Sequence, residues 1–226
     1  EYSNMTKAIF YKEWLKLRWY FLLAFIVSNG MVAYCMLRID RAIELKGAAH
    51  IWEVMVLKNV TFIDLLQYVP LITGIIAALV QFIPEMQRKC LKLTLHLPCS
   101  QKMTVAMLAR GVTVLFGCYL ANLLIAVSYL PGVLPYELTR NILSAAAPWY
   151  LSGFAGYLFT AWICLEPTWK RRILNAAVAA ITLRVYFLGV VPQSYNDFLP
   201  YLLVYTILLT TLSFISIRRF KAGRQD

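Results

Sequence analysis

Long runs of apolar residues alternate with short polar segments along this chain of 226 residues. Five uncharged runs approach or exceed the roughly 20 residues that an α-helix needs to cross about 30 Å of hydrocarbon. The pattern predicts six membrane spans, at about residues 19–37, 65–83, 103–130, 149–165, 173–191 and 201–217. Because no repeat or linker divides the chain, we expect one all-α, polytopic membrane domain over residues 1–226.

The polar segment between the second and third spans is amphipathic. Pro84 suits the first turn of a helix, and Pro98 ends the helix that would follow it. Apolar positions recur at steps of three and four residues, and charged positions fall largely on other faces. The apolar set is Met86, Cys90, Leu93 and Leu97, and the charged set is Glu85, Arg88, Lys89 and Lys92. The alternative interpretation is an ordinary basic loop on anionic headgroups.

This segment resembles one loop of type-2 ABC transporter permeases. It consists of an acidic residue, a basic turn, leucines at alternate positions and a proline, and a span follows it. In that family the loop between spans 2 and 3 runs Glu-x3-Gly-x-Leu-x2-Leu-x3-Pro. The residues that fit are Glu85, Leu91, Leu93, Leu95, Leu97 and Pro98. Lys89 and Cys90 stand where the family has its glycine. The resemblance implies a cytoplasmic coupling helix between spans 2 and 3.

The resemblance also implies the partners of the chain. It indicates two permease copies, as a homodimer or a related heterodimer, and two ABC ATPase subunits. ATP and Mg would bind to the ATPase, so no cofactor is expected on this chain. The residues expected to contact the ATPase are Glu85, Arg88, Lys89, Lys92, Leu93, Leu97 and Pro98. Membrane lipids are the other expected partner.

A second amphipathic pattern precedes the first span, over Met5–Leu17. Its apolar and aromatic face opposes a basic face, which is typical of a helix lying in the inner membrane interface. The resemblance implies an elbow helix at this place, and here it would present Phe10, Trp14 and Lys16. The alternative is a cytosolic extension of the first span.

Basic residues are concentrated in alternate connections of the chain, whose formal net charge is +11. They cluster before the first span, near residues 84–102 and 170–172, and after the last span. The positive-inside rule therefore predicts that both termini are cytoplasmic, and we expect a prokaryotic inner membrane. Nucleic acid is not expected as a partner. No cleavable signal peptide is visible, and Met5 is a candidate native start, with residues 1–4 an upstream remnant.

Arg184 is a charged residue within the fifth predicted span. A base at membrane depth costs about 2.5–3.5 kcal/mol on insertion scales, so it commonly faces a cavity or a partner. Asp197 and Glu137 are candidate partners, and snorkelling to the outer interface is the alternative. The resemblance implies that spans 2 and 5 line a path between two permease copies. Arg184 is therefore the candidate substrate-path residue.

Small residues recur at four-residue spacing in several spans and allow helices to approach closely. The pairs are Ala24 and Ser28, Gly74 and Ala78, Ser152 and Gly156, and Ala176 and Ala180. Packing within one copy and a seam between two copies explain them equally well.

The sequence offers little for catalysis or metal binding. Cys90, His96 and Cys99 have the spacing Cys-x5-His-x2-Cys, which helical geometry would not bring together, so no metal site is expected. The chain contains neither a Gly-x4-Gly-Lys-Ser/Thr loop nor a His-Glu-x2-His motif. Its predicted spans contain no Asp or Glu to act as a proton relay. We therefore expect a chain that is not an enzyme by itself.

The most consistent function is the membrane subunit of an export-type ABC transporter, driven by ATP hydrolysed on a separate subunit. Two alternatives stay open. One is a haem-exporter-like permease, and the other is a membrane relay or scaffold that couples a cytosolic ATPase to a periplasmic protein. The aliphatic and aromatic spans suit a lipid, peptide or drug equally.

Overall fold

A computed structural model describes residues 2–47, 53–55, 62–87, 100–189 and 194–221. Within these ranges the chain is helical and has no β-strand, so the expected all-α class is confirmed. The helices are α1 (Tyr2–Lys46), α2 (Val69–Gln87), α3 (Ser100–Val133), α4 (Tyr136–Leu165), α5 (Trp169–Leu183), α6 (Leu199–Leu208) and α7 (Thr210–Lys221). Short 3-10 helices precede α2, at Asp64–Leu66, and follow α5, at Arg184–Phe187.

Four stretches of the described chain are long and apolar enough to cross a membrane. They are Lys7–Lys46, Asp64–Gln87, Thr104–Val133 and Leu199–Arg219. They correspond to predicted spans 1, 2, 3 and 6, which supports a multi-pass membrane protein. The fourth and fifth predicted spans, on α4 and α5, are not confirmed. Helix α5 has 15 residues, fewer than the roughly 20 that a straight span requires.

Helix α4 is the centre of the described bundle. It packs most extensively against α2 and also contacts α3, α5, α6 and α7. Its buried residues include small and polar ones, among them Ser152, Gly156 and Thr160. Because neighbouring helices cover this surface in place of lipid, α4 does not need the hydropathy of a lipid-facing span.

Helices α2 and α4 cross in close contact at two glycines. A Cβ atom on Gly74 would lie 2.0 Å from the carbonyl oxygen of Gly153, so the backbones approach only because both residues lack one. This pair packs within one copy of the chain. By contrast, Ala176 and Ala180 of α5 are exposed, so the described chain leaves that face of α5 uncovered.

Prolines lie inside helices where the sequence predicts boundaries or kinks. A new helix was expected after Pro84, but α2 runs through this residue. Pro70 lies in the first turn of α2, where its missing N–H removes no helical bond. Pro131 and Gly132 both belong to α3, and α4 begins directly after Pro135.

The first and last predicted spans also differ from the observed helices. Helix α1 is unbroken from Tyr2 to Lys46, so the structure shows the extension of the first span, and a separate elbow helix is not confirmed. At about 1.5 Å per residue, its 45 residues measure roughly 68 Å, far more than about 30 Å of hydrocarbon. The last span is divided at Leu209 between α6 and α7.

Two clusters of buried side chains form the described core. The larger surrounds α4 and includes Phe82 and Tyr157. The smaller joins α1, α3 and α4 through residues such as Ile39, Leu130 and Ile142. The packing of the described bundle is therefore divided between two groups of buried side chains.

Candidate functional site

Glu85 is the only predicted ATPase-contact residue that lies in the described part of the chain. The others, Arg88, Lys89, Lys92, Leu93, Leu97 and Pro98, lie outside the described residues. Glu85 lies in the last turn of α2, immediately before this segment, and its side chain is 1% exposed. Its contacts therefore show how the end of α2 is held.

Two lysines of α1 converge on the Glu85 carboxylate. Lys12 Nζ lies 2.8 Å from Glu85 Oε1, and Lys16 Nζ contacts the same oxygen. Lys16 Nζ also lies 2.9 Å from Glu13 Oε1, and Glu13 is completely buried. Glu85 and these three α1 residues, here called the Glu85 cluster, join the end of α2 to α1.

The local sequence explains this geometry. Lys12 and Lys16 are four positions apart, so they lie on one face of α1, a turn from each other. On α2, Ala78 and Phe82 are fully buried, and Glu85 follows them at helical spacing. Because α2 continues through Pro84, Glu85 stays in phase with this buried face. If a new helix began at Pro84, Glu85 would leave this face and contact different side chains.

The Glu85 cluster contains more acceptors than the described donors occupy. The second carboxylate oxygens of Glu13 and Glu85 are buried and have no hydrogen-bond partner among the described residues. A buried carboxylate oxygen without a donor is unfavourable, because no hydrogen bond compensates for its removal from water. The cluster can therefore accept a further N–H or O–H group with no additional desolvation of the carboxylates.

The other predicted elbow residues contact α3. The Arg110 guanidinium carbon lies 4.7 Å from the centroid of the Trp14 ring and 5.5 Å from that of Phe10. Such cation–π contacts contribute about 0.5–2 kcal/mol each, depending on desolvation. Phe10 and Trp14 therefore contact α3 through Arg110, whereas Lys16 contacts α2 through Glu85.

Glu166 forms a second buried acidic cluster that the sequence interpretation missed. It directly follows α4 and is 1% exposed. Its Oε1 lies 2.8 Å from Arg219 Nη1, Ser216 Oγ donates to its Oε2 over 2.6 Å, and Thr168 Oγ1 donates to its Oε1 over 3.2 Å. Arg172 Nε donates to its backbone carbonyl over 2.7 Å. The available signal was a single acidic residue next to an apolar run in a basic segment.

Arg184 lies apart from both clusters. It begins the 3-10 helix after α5, is exposed, and forms no ion pair with any residue that the structure describes. Its candidate partners Asp197 and Glu137 are exposed as well. Its role in a substrate path stays a prediction.

Within the described ranges, no three His, Cys, Asp or Glu side chains group as metal ligands do, and Cys90, His96 and Cys99 lie outside those ranges. The carboxylates of Glu85 and Glu166 each pair with a basic side chain of another helix, and these ion pairs join helix ends. Comparisons with protein-family models, curated proteins and solved structures found no match to this chain.

Proposed function

We propose that this chain is the membrane subunit of an ATP-binding cassette transporter of the export type, with ATP hydrolysed by a separate partner subunit. The sequence pattern from Glu85 to Pro98 supports this proposal, as does a bundle with several helices able to cross a membrane. In this proposal the chain lies in a prokaryotic inner membrane, with both termini in the cytoplasm.

The observation that carries the proposal is the joint between Glu85 and the two lysines of α1. The segment that resembles a coupling helix follows α2 directly and leads into α3. A push on this segment reaches α2 and α3 through the backbone and α1 through the Glu85 cluster. Three helices would then tilt together, as in the rigid-body movements that switch other proteins between two states.

The proposal divides the roles of the predicted contact residues. Because the Glu85 carboxylate faces α1, its role here is to position the segment, and the residues after it meet the ATPase. Arg88, Lys89 and Lys92 would bind acidic groups on the ATPase, and Leu93 and Leu97 would fill an apolar groove. ATP and Mg would remain on the two ATPase copies.

A second permease copy completes the proposed assembly. Helix α5 is short, and its exposed Ala176 and Ala180 lie on one face at the four-residue spacing that favours close helix approach. A second copy on this face would cover it and place Arg184 near the seam. The substrate path of the proposal lies at that seam.

Site-specific photo-crosslinking in the native membrane tests the proposal. A photoreactive amino acid at Leu93 should capture a nucleotide-binding subunit, which mass spectrometry would identify by its P-loop sequence. The matched control is the same amino acid at Tyr136. This exposed residue lies between the third and fourth predicted spans, which the proposed orientation places on the other side of the membrane. Capture of lipid alone at Leu93 would support the basic loop on headgroups and oppose the proposal.

A further inference from the structure

A groove of about 410 Å³ runs along one face of α1 in the N-terminal half of this helix. Aromatic and aliphatic side chains form most of it, and one charged side chain lies among them. The described residues that line the groove are Trp14, Arg18, Trp19, Phe21, Leu22 and Phe25. Trp19 is 70% exposed and Leu22 is 52% exposed, so the groove is open to the surroundings of the helix.

The groove has the length of one membrane leaflet. Trp14 and Phe25 are eleven positions apart, which corresponds to roughly 16 Å along the helix axis at about 1.5 Å per residue. Half of a hydrocarbon core of about 30 Å is about 15 Å. Both residues belong to a helix that is long and apolar enough to cross a membrane. The groove can therefore receive an acyl chain of a lipid in one leaflet.

Two arginines beside the groove have no counter-ion among the residues that the structure describes. Arg18 lines the groove, and Arg110 of α3 lies against Trp14, with its guanidinium carbon 4.7 Å from the ring centroid. The two carboxylates of the Glu85 cluster are already paired with its two lysines. This end of the groove therefore carries a positive charge that an anion would compensate.

Arg18 is placed to reach an anion at the membrane surface. Its side chain is exposed, and its guanidinium carbon lies 5.6 Å from the centroid of the Trp19 ring. Side chains on a helix lean toward its N-terminus, so Arg18 leans toward the end that the positive-inside rule places at the cytoplasmic surface. Tryptophan is enriched at the same depth, where its apolar ring and its N–H group meet the lipid headgroups.

We propose that this groove binds one phospholipid of net negative charge from the cytoplasmic leaflet. The lipid phosphate pairs with the guanidinium group of Arg18, whose N–H groups match the oxygens of a phosphate. An acyl chain of the same lipid lies along Phe21, Leu22 and Phe25. The proposal requires a membrane and the predicted orientation but no ATPase partner, so its failure would leave the transporter proposal intact.

The charge of the headgroup decides which lipid is favoured. A zwitterionic headgroup would bring its own ammonium group close to Arg18 and Arg110, whereas a headgroup of net negative charge would not. Arg110 contributes only through its charge and does not touch the lipid. Because Arg18 is exposed, salt should screen this attraction, and the preference for the anionic lipid should decrease as the ionic strength rises.

The test uses the purified full chain in phosphatidylcholine nanodiscs that contain a small amount of a photoreactive lipid. One probe is phosphatidylglycerol with a diazirine in an acyl chain, and the other is phosphatidylcholine with the same chain. Peptide mapping should show labelling of the α1 peptide with Leu22 and Phe25, several-fold stronger with phosphatidylglycerol. Unlabelled phosphatidylglycerol should compete with the probe, and high salt should reduce the difference between the two probes.

Substitutions of exposed arginines locate the headgroup. Arg18→Gln should lower the labelling of this peptide by phosphatidylglycerol to the level of phosphatidylcholine. Arg18→Lys keeps the charge but loses the paired N–H groups, so it should retain part of the preference. The control Arg171→Gln removes an exposed base from another predicted cytoplasmic segment and should leave the labelling of this peptide unchanged.

Three results would overturn the proposal. The first is equal labelling of the α1 peptide by the two probes in the unmodified chain. The second is a preference for phosphatidylglycerol that Arg18→Gln leaves intact or that Arg171→Gln lowers equally, because only the overall charge would then attract the lipid. The third is capture of a second copy of the chain, in place of lipid, by a photoreactive amino acid at Leu22.

Discussion

Buried polar side chains set the contacts between helices in this bundle. Gln81 is fully buried: its Nε2 donates to the Met107 carbonyl over 2.8 Å, and its Oε1 accepts from Tyr157 over 2.8 Å, so one residue connects α2, α3 and α4. The carboxylates of Glu85 and Glu166 do the same near the ends of their helices. Replacing either carboxylate by a neutral group of similar volume should therefore weaken the contacts between helices, although the change in side-chain size is small.

Glu85→Gln should loosen the joint between α1 and α2. Removing one partner of a buried ion pair costs about 3–5 kcal/mol, and we expect a smaller loss because the Lys12 side chain is 44% exposed. Spin labels at the exposed positions Tyr11 and Gln87 would report the separation of the two helices. Double electron–electron resonance should show a broader distance distribution in the variant.

The control for this joint is Glu44→Gln. It neutralises an exposed carboxylate of α1 that lies outside the Glu85 cluster. The distance distribution between α1 and α2 should therefore stay narrow. A distribution unchanged by Glu85→Gln would contradict the role given to the Glu85 cluster.

Glu166→Gln should lower the thermal stability of the chain. The carboxylate holds Arg219 at 2.8 Å and Ser216 at 2.6 Å, and an amide offers only one acceptor oxygen and no charge. A loss of about 3 kcal/mol corresponds to roughly 6–12 °C for a chain of this size. Unfolding in detergent followed by circular dichroism would measure it, with the exposed Glu137→Gln on α4 as the control. Equal melting temperatures for the two variants would count against this account.

Glu85 shows what the sequence could and could not predict at this scale. Its position next to a basic segment is visible in the sequence, but its burial depends on whether α2 ends before Pro84 or continues. The proline favours an end, whereas packing of α2 against α4 carries the helix one turn further. Glu166 was missed because its donors, Arg219 and Ser216, are about fifty positions away in the chain.

At the scale of elements, the contact between α2 and α4 determines the bundle. Hydropathy correctly predicts that the segments of α1, α2, α3 and the last span are long and apolar enough to cross a membrane, because each has a lipid-facing surface. It places the start of the fourth span at Trp149, whereas α4 begins at Tyr136. Helix α4 is covered by its neighbours, so its limits depend on tertiary contacts that hydropathy does not report.

Gly74→Ala should disrupt this contact. The new Cβ atom would lie 2.0 Å from the carbonyl oxygen of Gly153, and a backbone atom cannot move aside as a side chain can. Overpacking typically costs about 1–3 kcal/mol, and more where helices must separate. We expect a lower yield of monodisperse protein and a lower melting temperature.

The control for this substitution is Gly30→Ala. Nothing lies within 4 Å of a Cβ atom at Gly30, and alanine is favoured over glycine within a helix by up to about 1 kcal/mol. This variant should be at least as stable as the original chain. Full stability of Gly74→Ala would show that α2 and α4 do not approach as closely as described.

At the scale of the molecule, the basic clusters and the buried carboxylates near helix ends are consistent with one orientation of the chain in the membrane. Lys12 and Lys16, from the basic cluster before the first span, pair with buried Glu85. Arg219, from the cluster after the last span, pairs with buried Glu166. These bases therefore neutralise buried acids, and by the positive-inside rule they also predict the orientation of the chain. In the proposed assembly, the push of the ATPase enters at the end of α2 and reaches α1 through the Glu85 cluster. The central claim is therefore that this chain has an ATPase partner.

Purification of the tagged chain from its native membrane in mild detergent tests this claim most directly. Mass spectrometry would identify the proteins that co-purify, and the eluate would be assayed for ATP hydrolysis. The account predicts a stoichiometric subunit with a P-loop and vanadate-sensitive ATPase activity. A monodisperse preparation with no nucleotide-binding partner and no ATPase activity would contradict it.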